Sequence, residues 1–259
     1  MNTVENKAKT ALITGASRGL GRAMTLALAA RGWNVIGTYR SAEDEAQSVA
    51  EEAEKAGGKA VMLRYDALEN EVSELSETVE AALAELGSDR LDALVNNAGA
   101  AHHALLIETE LNALDQMYRL HVRAPIALTQ ALAELLGEDS RVLFVSSGLA
   151  RFALPGYGAY AAMKGAVEVL GRYAAKELGE RGVRVNVIAP GAIETDFGGG
   201  AVRDNEHVNK LVSDMTALGR PGLPQEIGDA VAAILSADMR WMTGERIEIS
   251  GGQGLRLRH

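Results

Sequence analysis

Thr10-Ala11-Leu12-Ile13-Thr14-Gly15-Ala16-Ser17-Arg18-Gly19-Leu20-Gly21 runs a short apolar strand into a glycine-rich turn and then into a helical pattern. Glycines here permit a tight turn, let backbone approach a pyrophosphate, and let the following helix sit close to a sheet. The helix start then offers free N–H groups and the positive end of its dipole to phosphate oxygens. The spacing is Gly-x-x-x-Gly-x-Gly, not the commoner Gly-x-Gly-x-x-Gly, and a glycine trio alone also suits a plain turn. Its place between a first strand and a first helix favours the phosphate-loop reading.

Outward from this stretch, short β-branched runs alternate with longer helical patterns. Strands are predicted at 10–14, 34–38, 60–64, 91–95, 141–145, 184–188 and 246–249, and helices at 21–30, 43–55, 72–86, 111–136 and 160–181. Such alternation predicts an α/β fold: a single-domain Rossmann architecture over residues 1–259, with a doubly wound parallel sheet of about seven strands and helices on both faces. Residues 194–219 fit the alternation less well. There Gly198-Gly199-Gly200 precedes Val208, Leu211, Val212 and Met215 at helical spacing, which suits a hinged substrate lid as well as a surface helix.

Composition narrows the function. Of 259 residues 47% are hydrophobic but only 4% aromatic, so Ala, Val, Leu and Ile must build the core. The net charge is −9 with both signs interspersed and no basic patch, which excludes a nucleic-acid partner. The absence of cysteine removes disulfides, thiolate metal sites and a cysteine nucleophile together. The opening ten residues are polar and suggest no signal peptide, and no apolar run approaches the ~20 residues of a membrane span. A soluble, cytoplasmic protein is expected, and Arg256-Leu257-Arg258-His259 reads as a solvated tail.

The second strand ends at Thr38-Tyr39-Arg40-Ser41 with no acid for a ribose 2′-hydroxyl. Arg40 here and Arg18 in the glycine turn suit a 2′-phosphate, so NADP is the expected cofactor. Asp66, after the third strand, suits either an adenine amine or a cap for the next helix. Tyr160 and Lys164 stand four residues apart on one helix face. A free tyrosine has a pKa near ~10, and a neighbouring cation favours its phenolate, so Lys164 is expected to bring Tyr160 into a useful acid/base range. Ser147 closes the fifth strand, at an end that faces the ligand crevice, and can hold a substrate oxygen.

Taken together, Gly15/Gly19/Gly21, Asn96-Asn97-Ala98-Gly99, Ser147, Tyr160 with Lys164, Pro190-Gly191 with Thr195, and Gly251-Gly252 resemble the short-chain dehydrogenase/reductase family over nearly the whole chain. The resemblance implies a catalytic Ser147–Tyr160–Lys164 set, with Asn96 bracing the sheet. It lays the cofactor along Gly15, Ser17, Arg18, Gly19, Leu20 and Gly21, then Arg40, Asp66 and Asn97. Lys164 would contact the nicotinamide ribose, with Ile193 and Thr195 near the carboxamide and Pro190 and Gly191 also on the cofactor. Such proteins are usually homotetramers or dimers.

One position departs from the family. Where it carries an Asn that completes a proton relay to the lysine, this chain has His121, the fourth candidate catalytic residue. Pro125 lacks an N–H and cannot return a helical hydrogen bond to the carbonyl of His121, which is then free to hold a relay water. The loop pair His102-His103 lacks a third ligand, so no metal site is expected.

The function expected is hydride transfer between NADP(H) and a carbonyl/alcohol carbon of a small substrate. The closest alternative is a 3-oxoacyl-carrier-protein reductase. Arg181 suits the docking of an acidic carrier, but Gly137-Glu138-Asp139 would repel it. A non-catalytic nucleotide sensor would be expected to lose the Tyr160/Lys164 pair, and a sugar-nucleotide epimerase needs a longer C-terminal part.

Overall fold

In the computed structural model, which describes residues 7–255, the strands are β1 (Thr10–Ile13), β2 (Asn34–Tyr39), β3 (Ala60–Arg64), β4 (Leu91–Asn96), β5 (Leu136–Val145), β6 (Arg184–Pro190) and β7 (Arg246–Ile249). The first six residues and the tail 256–259 read above lie outside the described residues. All seven strands form one parallel sheet in the order β3-β2-β1-β4-β5-β6-β7. The order reverses between β1 and β4, and that switch point opens a crevice outside the carboxyl ends of the strands.

The helices are α1 (Gly19–Ala29), α2 (Glu43–Ala56), α3 (Val72–Glu85), α4 (Leu111–Tyr118), α5 (Ala124–Ala131), α6 (Gly158–Leu178), α7 (Ala201–Asp204), α8 (Glu206–Met215) and α9 (Pro224–Ile234). Strands β1 and β6 are buried along their whole length, as expected where helices cover both faces of a parallel sheet. Met24 and Leu28 of α1 and Ile227 and Val231 of α9 pack on one face, against Ile13, Val95 and Ile188. Leu75 and Val79 of α3, Leu128 of α5 and Val167 of α6 cover the other, against Leu12, Leu94 and Phe144. Helices α1 and α9 touch because Gly228 has no side chain: a Cβ there would lie 2.5 Å from the Ala23 carbonyl oxygen. Among the described residues no helix is long and apolar enough to cross a membrane.

The continuous helix expected over 111–136 is not one helix. After α4 the chain widens into a π turn over Arg119–Arg123, where the Ala124 N–H reaches back to the Arg119 carbonyl. Helix α5 then restarts with Pro125 in its first turn, where a missing N–H costs least. A short 3-10 turn follows, and Leu136 already belongs to β5. That strand therefore starts five residues earlier than the sequence pattern suggests. Its first residues, including Gly137-Glu138-Asp139, enter through a register shift, and Asp139 adopts φ 67°, a left-handed geometry that Asp tolerates better than most residues.

Candidate active site

The residues that follow β1, β2, β4, β5 and β6 converge on the switch point. In the glycine turn Gly15 and Gly19 have φ of 68° and 54°, and a Cβ on Gly21 would sit 2.0 Å from the Gly15 carbonyl oxygen. Only glycine fits there. Ser17 is buried in the turn, and Leu20 packs toward the α1/α9 face. Helix α1 starts at Arg18 without a side-chain cap and without an acid in its first turn, so its leading N–H groups remain for an anion.

Three residues outside the glycine pattern hold this turn. Thr14 Oγ1 accepts from the N–H groups of Asn97 and Ala98, both at 2.9 Å, and Asn97 Nδ2 donates to the carbonyls of Thr14 at 2.8 Å and Gly15 at 3.2 Å. The bracing assigned to Asn96 is therefore made by Asn97. Asn96 is buried with neither amide atom hydrogen-bonded among the described residues. Thr38 ties the turn to β2: its Oγ1 accepts from Gly15 N at 3.2 Å and its carbonyl from Ala16 N at 2.7 Å. Sequence reading missed Thr14 and Thr38. Their signal, a threonine at a strand's carboxyl end beside a glycine turn, is too common to be distinctive.

This tie brings together the chain segments bearing Arg18 and Arg40. Both are exposed, and neither side chain makes a hydrogen bond or ion pair among the described residues. The nearby Arg22 is occupied instead, pairing with Glu52 at 2.5 Å. Asp66 uses Oδ1 to accept from Leu68 N at 2.9 Å, closing a turn before α3 rather than capping that helix. From the other side, Pro190 ends β6 and Gly191 donates to the Ile249 carbonyl at 3.0 Å. Ile193 pairs with Gly222, and buried Thr195 faces Gly19 closely enough that a Cβ there would lie 3.7 Å from Thr195 Cβ. The segments after β1 and β6 thus meet across the crevice.

Tyr160 and Lys164 lie in the first half of α6, both buried. Lys164 Nζ donates to the Val145 carbonyl at 2.8 Å and sits 5.7 Å from the Tyr160 ring centre. Complete burial pushes its pKa down from 10.5 to about 8. The effect expected of Lys164 on Tyr160 is not the one seen. Burial drives the phenol pKa up from 10.0; the Ser147 hydroxyl, which hydrogen-bonds it, opposes this, and Tyr157 adds slightly to the rise. The phenol is thus held protonated. Ser147 Oγ also accepts from Leu149 N at 3.2 Å, which fixes the serine at the start of its turn.

His121 is buried in the π turn with its ring edge-on to Tyr160, centroids 5.4 Å apart. Its Nε2 lies 2.9 Å from the Ala100 carbonyl and 3.4 Å from the Ala100 N–H, and Nδ1 is buried without a partner. Burial first, and the Lys164 charge second, pull its pKa from 6.5 to about 3, against a small opposing effect of the Ala100 bond. The imidazole is therefore neutral at any ordinary pH. The missing side chain of Gly99 makes its room, since a Cβ there would stand 2.8 Å from His121 Cε1. His103 packs edge-on to Tyr157, ring centres 5.0 Å apart. Phe197, half exposed and 5.9 Å from the Tyr160 ring, is a further aromatic wall that the sequence alone did not single out.

Beyond Thr195, Gly198, Gly199 and Gly200 all adopt left-handed φ of 63°, 74° and 75°. Arg203 closes over them, bonding Asp196 at 2.5 Å and Asp204 at 2.7 Å. Helix α8 follows, capped by Asn205, with Val212 buried.

Known proteins share this arrangement. The family model described as enoyl-(acyl carrier protein) reductase matches residues 15–253. An uncharacterized oxidoreductase of Methylorubrum extorquens is 35% identical over 244 residues, covering 94% of this chain and 97% of that protein. A short-chain dehydrogenase/reductase, FrzI, of a Cladobotryum species is 37% identical over 251 residues, 94% and 95% of the two chains. Among solved structures, the angucycline C-6 ketoreductase LanV with bound NADP is similar with TM-score 0.91 and 36% identity, over 96% of this chain and 97% of that one.

Proposed function

The chain belongs to the short-chain dehydrogenase/reductase family, and from that premise we propose that it moves hydride between NADP(H) and the carbonyl/alcohol carbon of a small, free substrate. The observation that carries this reading is the buried Tyr160, flanked by Ser147 and Lys164, at the mouth of a glycine-lined crevice.

The residues present fit a dinucleotide: the Gly21 contact leaves no room for a side chain, and α1 presents uncapped N–H groups. Arg18 and Arg40, exposed and unpaired where Arg22 is taken, support a 2′-phosphate, and the similar LanV was solved with NADP. When bound, the nicotinamide supplies or accepts the hydride. Ser147 holds the substrate oxygen. Tyr160, kept protonated by burial, donates its proton to that oxygen as the carbon is reduced, and takes it back in the reverse direction. Lys164 would bind the ribose and pass a proton inward. We assign the relay beyond it to the main-chain carbonyl of His121, because the neutral imidazole is already committed to Ala100.

A carrier-protein substrate is the weaker reading. Arg181, the residue suited to carrier docking, donates to the Ala133 carbonyl at 2.8 Å and that of Leu136 at 3.2 Å, and pairs with Glu134. Its charge is spent within its own chain. Residues 194–219 serve as the lid, hinged at the three left-handed glycines. A cytoplasmic homotetramer or dimer completes the reading, supported by apolar Leu111 of α4 and Tyr173 of α6, exposed at 76% and 64%. The test is a panel of ketones and alcohols followed at the NADPH absorbance band, with Tyr160→Phe beside the parent. Tyr160→Phe is expected to lose turnover by at least a hundredfold with NADPH affinity nearly unchanged, and near-normal turnover would remove the mechanism.

A further inference from the structure

The turn that carries Ser147 is tied to the last strand by charged side chains to which the mechanism gives no part. Arg246 of β7 reaches three places. Its Nε donates to Glu168 Oε1 at 2.6 Å, its Nη1 to Glu248 Oε2, and its Nη2 to the Ser147 main-chain carbonyl at 3.4 Å. Glu168 lies one helical turn beyond Lys164 on α6. The Ser146 hydroxyl sits between the two elements, 2.8 Å from Glu168 Oε1 and 3.2 Å from the Lys164 carbonyl. Arg151, at the far end of the Ser147 turn, also reaches Glu248 at 3.1 Å. The side chains of Arg246 and Glu168 are only 19% and 14% exposed, so solvent screens this pair far less than a surface bridge.

Ser147 comes from the end of β5, whereas Tyr160 and Lys164 come from α6. Their spacing is therefore set by whatever joins the two elements. Ser146–Glu168 and Arg246–Ser147 are such joints, one on each side of the reacting serine. Resting on the proposed mechanism, we propose that Arg246 and Glu168 are positioning residues that hold Ser147 at proton-transfer distance from Tyr160 without touching substrate or nucleotide. Such a couple acts on the chemical step, because a nucleophile, acid or oxygen anchor displaced by ~1 Å loses rate steeply while binding elsewhere persists.

The experiment compares parent, Arg246→Met, Arg246→Lys and Glu168→Gln in the full chain, reading kcat, KM, NADPH Kd by fluorescence and the solvent isotope effect. Arg246→Met is expected to lower kcat about tenfold or more, to leave NADPH Kd within about twofold, and to raise the solvent isotope effect. Arg246→Lys restores part of kcat through the Glu168 pair. Glu168→Gln keeps the volume and an acceptor, so it reads the charge alone should Arg246→Met fail to fold, with an expected severalfold loss in kcat. The proposal is overturned if a folded Arg246→Met or Glu168→Gln keeps kcat within twofold, or if kcat and NADPH affinity fall together. Tyr160→Phe separates the two failures: turnover surviving that change sinks the underlying mechanism, whereas a dead Tyr160→Phe beside a fully active Arg246→Met sinks the positioning role only.

Discussion

Replacing Lys164 by methionine is expected to make the nucleotide-free protein more stable at neutral pH while removing its activity. The lysine is buried, and the only described hydrogen bond of its ammonium is Nζ to the Val145 carbonyl at 2.8 Å. Its pKa falls from 10.5 to about 8 in the folded chain because burial penalises the ammonium. Between those two values the unfolded lysine holds a proton that the folded one has released, so native stability rises with pH across that window and its full deficit is present below pH 8. At about 1.4 kcal/mol per pH unit the deficit is on the order of 3 kcal/mol. Methionine has a similar length, carries no charge and fits an apolar surround, but it leaves the Val145 carbonyl without its partner, a loss of about 1–2 kcal/mol. The net expectation at pH 6–7 is a gain of roughly 1–2 kcal/mol, or about 2–8 °C in Tm for a chain of this size. Near pH 10.5 the lysine is neutral in the folded state and only half charged in the unfolded one, so little of the deficit remains while its hydrogen bond is kept; the order reverses and the parent becomes the more stable. Urea unfolding of both proteins at pH 6, 8 and 10 isolates the effect, since titrating groups distant from Lys164 cancel in the difference and His121, which Lys164 does influence, is neutral in the folded chain throughout that range. A Lys164→Met protein destabilised equally at pH 6 and pH 10 refutes the reasoning.

Three other outcomes are expected. Arg18→Ala together with Arg40→Ala should reduce the NADPH-over-NADH preference in kcat/KM by at least about tenfold, and a parent enzyme that prefers NADH overturns the assignment. His121→Ala should retain activity within about tenfold, under ~1.4 kcal/mol of barrier, with the same pH profile as the parent between 5 and 8, because the imidazole it removes is neutral throughout that range and the carbonyl survives the change. A loss as deep as that of Lys164→Ala would return the relay to the side chain. In the lid, Arg203→Ala releases Asp196 and Asp204 from across the three glycines, so hydrogen exchange over 194–219 should quicken in the free protein and slow when nucleotide and substrate bind; exchange indifferent to both marks a plain surface helix.

The strand–helix alternation, the glycine turn and the Tyr160/Lys164 spacing were set by the sequence itself. Each rests on local rules: a period of two or 3.6, a residue that alone permits left-handed φ, and two side chains one helical turn apart. Tertiary structure decided what those rules do not reach. Pro125 marked a disturbance in the helix around His121, yet whether the chain kinks, stops or widens depends on what packs against it, and here a π turn swings the imidazole beneath Tyr160. The early start of β5 follows from pairing between Leu91 and Leu136, a contact across 45 positions that no window over residues 136–140 displays. The same holds for electrostatics. Lys164 looked from its spacing like the group that lowers the tyrosine, but burial, which only the assembled sheet and helices create, raises the phenol and lowers the lysine instead. Asn96 and Asn97 are adjacent and chemically identical, and only the alternation of side chains at the end of β4, set against β1, sends one to brace the glycine turn and leaves the other buried without a partner.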